Sequence, residues 1–262
     1  MKHFLRIIFI LLIVTSISFA QKTLVSMITD RTTFTQSPNI IPIGYVQIES
    51  GILYGNEKFE KLNPSVEISN ISFLKSLLRY GLSDLFELRF GGEYIFQSIT
   101  TGDMVVNNKG LSSMMAGAKF QFLNSENSFM DAALLLEMAL PFGSSDFKPE
   151  KVEPKIILTV NQELNGDIGI TGNIGTRLES SKDKYMNFYS VNLGCKLDEK
   201  FSLFAENYGN FAKSVTPKFF ITAGASYLHK SNIQVHLYFG NEITPSTNSW
   251  LIGAGFAMRF PD

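Results

Sequence analysis

Apolar and polar side chains alternate along most of this chain, a period of two that fits extended strands with one apolar face and one polar face. In the run Phe86-Glu87-Leu88-Arg89-Phe90-Gly91-Gly92-Glu93-Tyr94-Ile95-Phe96-Gln97 the even positions are almost all apolar, whereas Glu87, Arg89, Glu93 and Gln97 hold odd ones. Comparable segments cover residues 44–55, 114–122, 132–140, 155–164, 168–178, 188–197, 201–211, 219–229, 233–240 and 249–260, with a weaker one at 73–80. Twelve strands are therefore expected. Most have about ten residues, the length a tilted strand needs to cross a bilayer.

The connections alternate as well. Long polar stretches at 56–72, 98–110, 141–153, 179–186, 212–216 and 243–248 take turns with tight ones at 81–84, 123–128, 165–166, 198–199 and 230–232. Asn165-Gly166 suits a two-residue hairpin turn, where both positions need positive φ. Short turns on one side and long loops on the other mark an antiparallel transmembrane β-barrel of the outer-membrane type. An even strand number leaves both termini on the side of the short turns, the periplasm. Three of the expected turns repeat one plan: Leu82-Ser83-Asp84-Leu85-Phe86, Leu164-Asn165-Gly166-Asp167-Ile168 and Leu197-Asp198-Glu199-Lys200-Phe201. A soluble β-sandwich or lipocalin-like barrel also alternates, but here most strands carry charge on the polar face and the apolar face stays bulky to the end. The last strand, with Trp250, Ile252, Phe256, Met258 and Phe260, resembles the C-terminal signal read by the barrel-assembly machinery, although Pro261 and Asp262 follow it.

Lys2, His3 and Arg6, an apolar run from Ile7 to Val14, and Ser18-Phe19-Ala20 before Gln21 have the form of a secretory signal peptide over residues 1–20. Without it, 242 residues remain, with 21 basic and 24 acidic side chains and a net charge of −3. That balance offers no basic surface for nucleic acid. Cys195 is the only cysteine, so no intrachain disulfide can form. After residue 20 no apolar stretch approaches the length of a membrane helix. Hydrophobic residues make up 45% and charged residues 18% of the chain, which excludes disorder and leaves charge below the roughly 25% of soluble domains.

Residues 42–262 are assigned to the barrel, and the polar parity of each strand marks its lumen-facing side. It gives Gln47 and Glu49 in the first strand, then Lys75 and Arg79, then Glu87, Arg89, Glu93 and Gln97, then Lys119 and Gln121. Glu137 follows, then Asn161 and Glu163, Asn173 and Arg177, Asn192 and Lys196, Glu206 and Tyr208, Gln234 and His236, and finally Arg259. Six glutamates facing seven bases do not form the single-sign ring that would select one ion class. A salt-bridge and hydrogen-bond network filling a narrow barrel is the plainer reading. Residues 21–41 show no period and are either a disordered periplasmic tail or a plug tucked into the lumen. In the second case Asp30 and Arg31 can pair with lumenal groups such as Arg79 and Glu87.

Catalysis finds little support. Ser226 and His236 share the inward parity and can meet across the turn at 230–232, but that places them inside the lumen, away from a lipid-facing site. No Gly-x-Ser-x-Gly elbow is present. With His229 and His236 as the mature chain's histidines and a lone cysteine, no metal cluster is expected, and no cofactor.

Two stretches carry a family likeness. One is Asp30-Arg31 with Phe34-Thr35-Gln36-Ser37-Pro38, Ile41-Pro42, Gly44, Gln47 and Glu49-Ser50-Gly51; the other is Leu77-Leu78-Arg79-Tyr80-Gly81-Leu82-Ser83-Asp84 with Glu87-Leu88-Arg89. Leu140-Pro141, Gly143, Glu206-Asn207-Tyr208-Gly209 and Gly255-Phe256 with Arg259-Phe260 add to it. Together they resemble the outer-membrane transporter family described as "Putative MetA-pathway of phenol degradation". The resemblance implies a β-barrel in the outer membrane of a Gram-negative bacterium, in contact with its lipids, and leaves the cargo open. The expected function is passive passage of small solutes, apolar or aromatic ones included, gated by loops 98–110 and 141–153. The alternative is a closed structural or adhesion barrel whose loops bind a partner and whose lumen conducts nothing, with an outer-membrane lipid hydrolase as a third.

Overall fold

The computed structural model describes residues 27–30, 33–125, 128–213, 215–244 and 247–261. The signal peptide expected at 1–20, and Arg31, lie outside these residues. Thirteen strands follow one another: β1 Val46–Phe59, β2 Val66–Gly81, β3 Phe86–Thr101, β4 Met104–Leu111, β5 Met115–Leu123, β6 Asp131–Ala139 and β7 Glu153–Glu163. Then come β8 Ile168–Glu179, β9 Lys184–Lys196, β10 Phe201–Ala212, β11 Val215–Lys230, β12 Ile233–Glu242 and β13 Asn248–Phe260.

All pairings between these strands are antiparallel, and β1 pairs with β13 from Val46↔Phe260 to Lys58↔Asn248, which closes the sheet on itself. β4 and β5 act as one stave. β5 pairs with the first half of β3, Phe86 to Gly91, and β4 with the second half, Tyr94 to Thr101. Thirteen strands thus make the twelve staves expected from the sequence.

Closure inverts the usual burial. The largest fully buried side chains begin with Arg79, Arg89 and Lys119, while Ile174, Leu136 and Leu237 are more than half exposed. Alternation puts charge inside and aliphatic bulk outside, where lipid instead of water meets it. Parity does admit some apolar groups to the interior. Ala133, Leu135 and Ile157 form a small dry cluster that Phe188 packs against, none of it anticipated from the polar positions.

The repeated turn plan has a structural counterpart. At Leu82, Leu164 and Leu197 the backbone N–H donates to the carbonyl four residues on, at 2.8–2.9 Å. The next residue's side-chain oxygen, on Ser83, Asn165 or Asp198, accepts the two N–H groups that follow the turn. The Asp198 carboxyl is held below its ordinary range by the N–H groups of Lys200 and Phe201. Asn165-Gly166 therefore does not form the two-residue turn expected of it, and Gly166 is not among the glycines with positive φ. The side-chain oxygen of Asn165 does the turning instead.

Several expected loops are shorter than the sequence suggested, those at 179–186 and 212–216 among them, because β9 begins at Lys184 and β11 at Val215. That at 56–72 spans only residues 60–65, and 98–110 is mostly the β3–β4 hairpin, turned at Gly102 with φ +57°. Polar strand ends that rise beyond the barrel read as loop because no apolar alternation marks them. Besides shifts near strand ends in β5–β6, β10–β11 and β11–β12, the wall is irregular on both sides of β2: β1 and β2 lose register between Glu49 and Leu53, and β2 and β3 between Phe73 and Ser76. Leu74 sits there at φ +50°, a conformation costly for a bulky residue.

Candidate functional site

Before β1 the chain turns back into the barrel. Gly44, at φ +78°, donates its N–H to the Gly81 carbonyl, and Gly81 donates to that of Tyr45. A Cβ on Gly81 would lie 2.2 Å from the Pro42 carbonyl oxygen, so only glycine lets residues 41–42 pass so close to the rim. From this point the described residues of 27–41 lie inside the end of the barrel that carries the short turns. Two walls hold them.

On the wall of β1, β2, β3 and β5, charge dominates. Asp30 is fully buried; its Oδ2 accepts Arg89 at 2.6 Å and Lys119 at 2.8 Å and lies 3.6 Å from Arg79. Its Oδ1 accepts the Ser37 N–H, and its own N–H donates to Glu49. Arg79 makes a two-pronged pair with Glu87 at 2.8 Å and a further bond to Glu49 at 3.0 Å. Arg89 reaches Glu87 and Glu137, and Lys155 reaches the other oxygen of Glu137. Four carboxylates thus meet four bases, which keeps so many buried charges tolerable. Burial alone would raise the Asp30 carboxyl, but Arg79, Lys119 and Arg89 outweigh it and hold the group well below the usual carboxylate range. The same cations also take backbone carbonyls: Arg79 donates to Ile28 and Asn39, and Lys119 to Asn39.

On the wall of β7, β8, β10 and β11, side chains grip the backbone. Glu206 accepts the N–H of Thr35 at 2.6 Å, the Thr35 hydroxyl and the N–H of Phe34, and Thr222 completes its shell. The Asn173 amide accepts the Gln36 N–H and donates to its carbonyl, which Thr159 also reaches at 2.6 Å. Phe34 stacks on Tyr208.

The segment divides the lumen. Towards the long loops, Gln36, Arg89 and Glu137 border a cavity of about 230 Å³ shared with Lys75, Glu93, Lys155 and Arg177. Towards the turns, Thr33, Thr35, Ser37 and Asn39 border one of about 370 Å³ shared with Glu163 and Lys196.

Apart from Glu206, which grips the segment's backbone, the inward charged positions read from the sequence fall into three groups. Asp30, Glu49, Arg79, Glu87, Arg89, Lys119 and Glu137 converge in one cluster; Arg79 was expected to meet Asp30, whereas Arg89 and Lys119 were not. Glu93, Arg177, Glu163 and Lys196 line the cavities, and Lys196 lies 4.0 Å from a largely exposed Glu163. Arg177 pairs with Glu179 at 3.0 Å. Arg259 and His236 are buried in the wall. Ser226 does face His236 in the β11–β12 ladder, but no hydrogen bond joins them, and the His236 Nδ1 has no partner among the described residues. Among those residues, no group of three His, Cys, Asp or Glu could hold a metal ion. Sequence reasoning missed Phe34, Thr35 and Gln36, because segment 21–41 has no period and the hydrogen bonds of these three residues to the far wall are mostly made by backbone. The one available signal was its dense family likeness.

Comparison with known proteins agrees with this architecture. An outer membrane channel from Pseudomonas putida F1 superposes with a TM-score of 0.62 at 12% identity, covering 84% of this chain and 97% of that one. The translocator domain of autotransporter NalP from Neisseria meningitidis gives 0.56 at 8% identity, covering 82% and 88%. Both likenesses concern the fold, that of an outer-membrane β-barrel. No curated protein matches the sequence significantly. The family model described as "Putative MetA-pathway of phenol degradation" matches residues 29–260, from the buried segment to the closing strand, and the chain belongs to that family.

Proposed function

We propose that the protein is a passive outer-membrane channel for small solutes, apolar and aromatic ones included, in which residues 27–41 act as a plug. One observation carries this reading: a segment outside the barrel wall is bonded by side chains of opposite walls and leaves a cavity on either side of it. In this reading residues 1–20 direct export, the turn end and both termini face the periplasm, and the final strand engages the assembly machinery. The solved Pseudomonas protein is described as an outer membrane channel, and apolar side chains such as Met115, Ala139 and Leu178 share the loop-end cavity with the charges. A narrow lumen lined by charges of both signs admits small solutes without selecting an ion class. No chemistry is assigned to Ser226 and His236; fatty-acid release that is lost on His236→Ala would overturn that.

The test is single-channel recording of the mature protein and of a variant lacking residues 21–41. Larger stepwise currents in the variant are expected. Equal currents would refute the plug. Silence from both proteins would favour a closed barrel whose loops bind a partner.

A further inference from the structure

Two inward side chains on β10 hold the segment in different ways. Glu206 takes the backbone N–H groups of residues 34 and 35, and two positions nearer the loop end Tyr208 takes the ring of Phe34. The Phe34 and Tyr208 centroids are 3.9 Å apart with planes 23° from parallel. Phe220, the register partner of Tyr208 on β11, stacks behind it at 5.0 Å and 5°. The result is a pile of three rings, two from the wall and one from the segment. Tyr208 is 6% exposed, whereas Phe34 is 39% exposed.

The ring of Phe34 does not anchor the segment by hydrogen bonds. Asp30, Thr35, Gln36 and Ser37 provide those, so the ring can leave Tyr208 while the backbone stays docked. A stacked pair of this kind amounts to roughly two- to tenfold in an equilibrium constant, a contact that millimolar solute can contest. Lys75, with its Nζ 5.7 Å from the Phe34 centroid, adds a cation suited to a π face.

We infer that the Tyr208 face, backed by Phe220, is a binding site for the planar aromatic ring of a permeating solute, filled in the resting channel by Phe34. The inference rests on the channel reading above and adds a site and a selectivity: an incoming ring exchanges with Phe34, whereas a saturated ring of the same size lacks the face that Tyr208 rewards. Phe34 then works as a built-in competitor that sets how much aromatic solute is needed for entry.

The experiment uses the full mature chain in detergent, with Phe34→Trp and Trp250→Phe leaving a single tryptophan at the stack. Titration with benzyl alcohol should change its emission saturably, whereas cyclohexylmethanol, matched in size, should not. Tyr208→Leu added to that protein should abolish the difference and Tyr208→Phe should retain it, with heat-modifiable gel mobility verifying that each barrel is folded. In a separate Phe34→Ala variant, benzyl alcohol should bind two- to tenfold more tightly than to the wild type, as measured by calorimetry. Equal responses to the two alcohols, or a difference that survives Tyr208→Leu, would overturn the site. These readouts do not depend on conduction, so a silent channel would refute the proposed function and leave this result standing by itself.

Discussion

The two walls that hold residues 27–41 use opposite chemistries. One side gathers Arg79, Arg89 and Lys119 on a single anionic side chain, Asp30, and adds bonds to the backbone of Ile28, Asn39 and Ile41. The other meets backbone N–H and C=O groups with Glu206, Asn173 and Thr159. The first leans most heavily on the identity of one residue in the segment, the second mostly on the path of its chain. A lock of charges fails abruptly when one member is removed, because its partners stay buried and uncompensated. A lock on the backbone tolerates side-chain change in the segment and fails only if the wall changes.

Asp30→Asn should therefore have the largest effect, weakening docking by about 3–5 kcal/mol, as found for a buried pair broken on one side. Conductance close to that of the protein lacking residues 21–41 is the expected outcome; a wild-type trace would remove the distinction between the walls. Glu206→Gln should cost less, about 1.5–3 kcal/mol, the worth of hydrogen bonds to a charged acceptor. More frequent openings on a largely closed background would register it, and an effect equal to that of Asp30→Asn would make the walls equivalent. Acid offers a third comparison. The Asp30 carboxyl titrates lower when docked than when free, so its contribution is complete above the free value of about 3.9 and is lost only as pH falls through the lower docked value. Conductance should hold steady from pH 7 to about 4, and a rise around pH 6 would show that another group governs docking. The smallest change belongs outside the comparison, at a turn: Asn165→Ala removes two bonds and should cost below about 1 kcal/mol of stability by thermal unfolding, with docking intact.

Strand parity was legible because each side chain along a strand answers to lipid or to lumen, and that demand leaves a period. Glu49, Arg79, Glu87, Arg89 and Lys119 stood out as inward groups on that ground alone. Their convergence did not, since the register between distant strands sets it, and Asp30 pairs with Lys119 across 89 positions. Leu135 and Ile157 escaped notice because an apolar residue at an inward position breaks no pattern when its outward neighbours are apolar too. The break at Leu74 left its trace only as weak alternation in 73–80. Hydrogen bonds from the backbone of 34–36 carry no side-chain signature at all.

One contact has a bearing on the birth of the molecule. Thr35 is bonded to a residue 171 positions later in the chain, and Phe34 to the same residue across 172. Closing so long a loop is entropically expensive, and it gains nothing until β10 and β11 stand side by side. A stretch early in the chain thus acquires its native surroundings only once strands far later in the sequence are in place. Its run of threonine, serine and glutamine, uninformative as a pattern, is a composition that can wait.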